Sequence, residues 1–303
     1  MKVRTDLAIE SKELYHENSE EEISGVAVEK YEINDISVTS IQVLNETGSA
    51  FMDKPIGSYI TIETPEIEHS DGDMKYRCSQ VVADEIKKLV KINKDSKILI
   101  VGLGNHNITP DALGPKTASK ILVTRHLFLL YGRGDDKLAD VSVIIPGVMG
   151  NTGIESLDMI KGVVKQIQPD LVIAIDALAA RNINRVTTTI QMSDAGVSPG
   201  AGVGNCRRGI NKETLGVAVV AIGVPTVISS SSIIHDVLSV HGKEIDVNSF
   251  ATERFVRMLP DDMIVTPGNI DAVISEFAKV ISTGINLAVH DGLTQEELAS
   301  YLN

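Results

Sequence analysis

Four short apolar runs recur along the C-terminal two thirds of the chain: Lys97-Ile-Leu-Ile-Val-Gly102, Ser142-Val-Ile-Ile-Pro146, Leu171-Val-Ile-Ala-Ile175 and Val217-Ala-Val-Val-Ala-Ile-Gly223. Runs that are apolar at every position predict strands covered on both faces. Helical spacing separates them, over Thr117 to Leu130, Ile154 to Ile167 (stopped by Pro169), Ser229 to Val240 and Val273 to Ala288. Upstream, Val81, Val82, Ile86, Leu89 and Val90 predict a helix over Cys78 to Val90. Such alternation predicts a three-layer α/β fold, with a mostly parallel central sheet and helices on both faces. Val26 to Val43 and Ser58 to Thr64 alternate apolar and polar residues instead, so residues 25–65 read as a smaller N-terminal β-rich edge or subdomain of antiparallel strands. Thr187 to Met192 is a more polar strand, expected nearer an edge. Residues 1–24 are polar and acidic, ending in Glu20-Glu21-Glu22, and predict a mobile arm or marginal helix. Thr294 and Glu297 form a capping-box pattern near the C-terminus.

With 303 residues, 43% of them hydrophobic, the chain can bury a large core, and with 4% aromatics that core must be aliphatic. A net charge of -13 makes nucleic acid and anionic membranes poor partners and a basic protein an easier one. Cys78 and Cys206 make neither a metal cluster nor a disulfide framework, and read as free thiols. The N-terminus carries no apolar signal-peptide core, and no apolar run reaches the ~20 residues of a membrane span, so the expected location is cytoplasmic.

Two aspartates stand where chemistry is expected. Asp111 follows the Lys97–Gly102 strand in a stiff Thr109-Pro-Asp-Ala-Leu-Gly-Pro115 loop, and Asp176 ends the Leu171–Ile175 strand. Open α/β sheets bind ligands outside the carboxyl ends of their strands. Two acids meeting there suit hydrolysis with a shared proton, and which one is the base stays open. The plainer alternatives are a helix cap for Asp111 and an ion pair of Asp176 with Arg181. His106 is the histidine nearest Asp111, and with Arg181 it is a possible accessory group. Gly102-Leu-Gly104 follows a strand as a nucleotide loop would, but position 107 is Asn107, not the third glycine. The glycine-rich stretch Gly196 to Gly204, followed by Arg207-Arg208, lacks a P-loop ending and is expected to border the substrate cleft. No His-Glu-x-x-His spacing occurs.

Several uncommon strings together resemble the germination proteases of spore-forming bacteria. They are Val3-Arg-Thr-Asp-Leu-Ala8, Val101-Gly-Leu-Gly-Asn105, Thr109 to Pro115, Thr124-Arg-His-Leu-Phe128, Pro146-Gly-Val-Met-Gly150, Ala174-Ile-Asp-Ala-Leu-Ala-Ala-Arg181 and Gly200 to Asn205, in the family's order through nearly the whole chain. The resemblance implies a cofactor-free, aspartate-dependent endopeptidase of the forespore or spore core, with Asp111 and Asp176 as its functional aspartates. It implies a fold akin to the hydrogenase-maturation peptidases, synthesis as a zymogen, assembly as a homotetramer, and small acid-soluble spore proteins as substrates. The family cuts after an acid in a pattern that Thr5-Asp-Leu-Ala-Ile-Glu10 reproduces. Self-cleavage between Asp6 and Leu7 is therefore expected, dividing a propeptide of residues 1–6 from a single peptidase domain of residues 7–303. This propeptide is shorter than the family's, and the region from Val240 to Leu259 is shortened too. Two other readings remain: a metal-dependent peptidase using Asp111, Asp176 and His106 or His126, and a non-enzymatic Rossmann-like binding domain.

Overall fold

The apolar runs join one sheet, three of them inside it and the Ser142–Pro146 run at its edge. A computed structural model describes residues 5–16, 23–132, 136–202, 204, 207–240 and 263–302. The Glu20–Glu22 run, Cys206 and the region 241–259 lie outside these residues, while Cys78 is a buried free thiol.

The strands are β1 (Val26–Ile33), β2 (Ile36–Val43), β3 (Gly57–Glu63), β4 (Lys97–Gly102), β5 (Asp140–Ile144), β6 (Leu171–Ala180), β7 (Thr189–Ser193), β8 (Ala218–Ser229) and β9 (Ile264–Val265). They form one sheet in the order β1-β2-β3-β7-β8-β6-β4-β5, with β9 beside β8. Parallel pairing is confined to β5-β4-β6-β8, and every other pair is antiparallel. The expectation of a mostly parallel sheet is thus corrected to a mixed one. The chain returns from β6 to β7 through residues 181–188 alone, too short a link for the crossover that parallel strands need. The antiparallel β7 then accepts β3, and the N-terminal strands continue the same sheet. A tight turn joins β1 to β2, with Asn34 and Asp35 both at positive φ, as a two-residue hairpin requires.

Strand β7 is not near an edge: it lies between β3 and β8. Its polar Gln191 is buried and hydrogen-bonded, so its polarity reports a partner rather than solvent.

Alternate side chains of the parallel strands feed two cores. Ile98, Ile100, Ile173, Ile175, Val220 and Ile222 meet helices Gly72–Leu89 and Ile270–Val289 on one face. Leu99, Val101, Val172, Ala174 and Val219 meet helix Ser156–Ile167 on the other. Helices therefore cover both faces here, as expected. Helix Ile270–Val289 is long and apolar enough to span a membrane by length and composition, but 67% of its most apolar window is buried in the protein.

The helix expected over Thr117 to Leu130 is instead two, Leu113–Ala118 and Arg125–Tyr131. Tertiary bonds take the intervening backbone. Leu122 N–H donates to Asn286 Oδ1 at 3.0 Å, Thr124 N–H to the Val141 carbonyl at 3.1 Å, and the Thr124 hydroxyl to the Ala139 carbonyl.

The N-terminal arm is not loose where it is described. Helix Ala8–His16 follows Leu7, and Leu7, Ala8 and Ile9 are buried with Ile41, Tyr59, Leu178 and Ile228. Burying Leu7 and Ile9 contributes about 1.5–3 kcal/mol each, enough to hold this segment on the sheet. Helix Glu46–Met52 packs beside it, and its N-cap Asn45 accepts the Gly48 N–H at 3.0 Å. Asn45→Ala is expected to lower stability by about 1 kcal/mol, read as a lower urea midpoint.

Candidate active site

Asp176 does not end its strand as expected: β6 runs on to Ala180, and Asp176 lies inside it opposite Gly223, on the face of Val172 and Ala174 at the seam between two apolar clusters. It is 5% exposed and accepts the Ala177 N–H at 3.0 Å. Burial pushes its carboxyl well above the ordinary range, and the negative charges of Asp111 and Asp6 push it further. Both causes favour the protonated form of Asp176. Among the described residues no ion pair joins Asp176 to Arg181, which lies just past the end of β6.

Asp111 ends a 3-10 turn, Thr109–Asp111, and Ala112, not Asp111, caps the following helix. Its carboxylate reaches back to accept the Asn105 N–H at 2.8 Å. Burial raises this carboxyl to about 6, against the lowering effect of the Asn105 bond. Two ties bring the turn to β6 and β8: the Leu103 N–H donates to the Ile175 carbonyl at 2.8 Å, and Thr226 Oγ1 donates to the Pro110 carbonyl at 2.7 Å. The Gly102-Leu-Gly104 loop serves this closure and not a phosphate. A Cβ on Gly104, at φ +104°, would lie 2.1 Å from the Asp111 carbonyl oxygen.

Asp111 and Asp176 line one cavity of about 700 Å³, together with Met149, Arg207, Arg208 and Thr226. Asp6 lines it as well. The Asp6 N–H donates to the Ala179 carbonyl at 3.1 Å, and the Ala179 N–H donates to Asp6 Oδ2 at 2.8 Å. Gly202 N–H also donates to this carboxylate, whose pKa is raised by burial and held back by these bonds and by Lys54. A Cβ on Gly202 would lie 2.3 Å from Asp6 Oδ2, so the glycine-rich loop closes directly over the acid. Glu10 is fully buried and accepts the N–H groups of Arg181 and Asn182, each at 2.8 Å, and the Thr5 hydroxyl. Each acid of the Thr5–Glu10 segment thus meets a pair of backbone donors.

The accessory residues fall elsewhere. His106 is exposed on the loop before Asp111 and does not line the cavity, and Arg181 contributes its backbone N–H to Glu10. His126 is exposed on helix Arg125–Tyr131. Among the described residues no three His, Cys, Asp or Glu side chains converge as a metal set. Sequence reasoning passed over Lys54, Gln191 and the amides of Ala179 and Arg181. Gln191, a lone amide in a strand, was a signal for one of them; Lys54 carried none.

The germination protease family model matches residues 3–259. This chain belongs to the germination protease family. It is 44% identical to the germination protease of Caldanaerobacter subterraneus subsp. tengcongensis, with 99% of this chain and 98% of that protein aligned. Similarity to the germination proteases of Clostridium perfringens (42% identity, 99% of each chain) and Oceanobacillus iheyensis (38%, 99% of this chain and 97% of the relative) is equally extensive. Membership in this family makes the chain a peptidase of spore germination, and the cavity with its two aspartates is the candidate place for that chemistry.

Proposed function

We propose that this chain is an aspartate-dependent endopeptidase that cuts its own Asp6–Leu7 bond and then cuts small acid-soluble spore proteins at the same acid-flanked pattern. The observation that carries the proposal is the seating of Thr5–Glu10 beside the cavity of Asp111 and Asp176, with both of its acids received by backbone N–H groups. The Ala179 and Gly202 N–H groups that receive Asp6 would receive a substrate's acid equally, once residues 1–6 leave. In this reading the propeptide keeps the uncut protein inactive by filling the substrate track. Action within the forespore and assembly as a homotetramer follow from the family resemblance.

The two carboxyls divide the work. Asp111, ionised above about 6, takes a proton from the attacking water. Asp176, kept protonated by burial and by its acidic neighbours, donates to the departing Leu7 nitrogen. Neighbouring acids whose pKa values are driven apart supply a base and an acid at one pH.

The test is incubation of the purified full-length protein across pH, followed by intact mass. Loss of residues 1–6 is expected, with a rate that rises as Asp111 ionises near pH 6 and falls again once Asp176 loses its proton. A chain that stays intact at every pH, or is cut at another bond, would refute the proposal.

A further inference from the structure

The bond proposed for self-cleavage is gripped by two side chains from distant parts of the chain. The carbonyl oxygen of Asp6 accepts from Lys54 Nζ at 3.1 Å and from Gln191 Nε2 at 2.9 Å. Lys54 Nζ also donates to the Thr5 carbonyl at 2.9 Å, and Gln191 Oε1 accepts the Ala8 N–H at 2.6 Å. Together they hold the backbone on both sides of the Asp6–Leu7 bond.

Each is placed by rigid structure. Asp53, in the left-handed region at φ 50°, ends helix Glu46–Met52, and the Lys54 N–H then donates back to the Ser49 carbonyl at 3.3 Å. Gln191 sits in mid-sheet, with Thr61 on one side and Gly223 on the other. Burial lowers the Lys54 pKa, and Asp6, Asp53 and Glu10 act to raise it again, which favours the charged form. All four contacts are to backbone atoms of the bound segment, so they read the course of the chain and not its sequence.

We propose that Lys54 and Gln191 are catalytic residues that stabilise the oxyanion formed at the carbonyl of the cleaved bond. The proposal rests on the self-cleavage reading above. Water oxygen bonds to the Asp6 carbonyl carbon while its proton passes to Asp111. The carbonyl π pair moves onto oxygen, where the Lys54 ammonium and the Gln191 amide already donate. The pair returns, the C–N bond breaks, and the Asp176 proton goes to the Leu7 nitrogen. The products are a carboxyl on Asp6 and an amine on Leu7. Donors fixed before charge develops need no reorganisation as it appears, and this makes such groups effective.

Self-cleavage of the full-length protein, followed as a first-order process by intact mass, tests the assignment in wild type, Lys54→Met, Lys54→Arg and Gln191→Met. Hydrogen exchange at Leu7 and Ala8 reports whether the segment stays docked. Lys54→Met and Gln191→Met are each expected to slow cleavage by about 10²-fold with Leu7 and Ala8 still protected, and Lys54→Arg to recover most of the rate. Lys54→Met cleaving at the wild-type rate or faster would overturn the assignment while leaving the self-cleavage reading intact. Slow cleavage accompanied by lost protection would overturn it too, reducing Lys54 to a docking contact. Wild type that never releases residues 1–6 would overturn both readings.

Discussion

Asp176→Asn is expected to fold normally and to remain uncut. The side chain it replaces is buried where its protonated form is favoured, so a neutral amide of the same shape disturbs little packing. The amide has no acidic proton for the leaving nitrogen, and losing a general acid costs about 10²–10⁴ in rate. Asp111→Asn should fail to a similar degree for the opposite reason, since the amide can still accept the Asn105 N–H but cannot take a proton from water. The two variants should also differ from wild type in how stability depends on pH. The Asp111 pKa is raised in the fold, from an ordinary 3.8 to about 6. Between those values the native state holds a proton that the unfolded chain has lost, so stability falls as pH rises through that window. Removing the carboxyl removes that part of the slope, which urea unfolding at pH 4 and pH 7 would measure. Cleavage near the wild-type rate by either variant would exclude that aspartate from the reaction.

Replacing Asp6 by Ala is expected to suppress self-cleavage almost as strongly, although Asp6 donates nothing to the chemistry in this reading. Its carboxylate is held by the N–H groups of Ala179 and Gly202 under a loop with no room for a side chain at Gly202. Hydrogen bonds to a charged group contribute about 1.5–3 kcal/mol each, and deleting the acceptor also strands two donors. A loss on the order of 10²–10⁴ in rate follows. Asp6→Asn keeps an acceptor without its charge and should lose less. Time courses of intact mass would rank the three proteins; Asp6→Ala cut at the same bond as fast as wild type would show that the acid is not recognised.

These expectations draw unequally on sequence and structure. Asp111 and Asp176 were legible because each follows a run of unbroken apolar residues, although a helix cap and an ion pair were plainer readings of them. Thr5–Glu10 was legible as a cleavage pattern through family resemblance, but not as a segment packed into its own protein. The buried strands and most helices follow from periodicity. The break between Ala118 and Arg125 does not, because Asn286 and Val141 compete for its backbone from far along the chain. The polar character of β7 suggested solvent, when Gln191 was instead matched to the backbone of residues 6–8.

The sequence by itself determined most of the strands and helices and the two acids that follow apolar runs. These are local properties, written in alternation, apolar runs and short strings. Only the tertiary structure decided that the sheet is mixed, that Lys54 and Gln191 meet at one carbonyl oxygen, and that Asp176 lies where burial favours its protonated form. Those facts depend on which residues distant in sequence share a dry space, and burial there sets both strand partners and proton affinities.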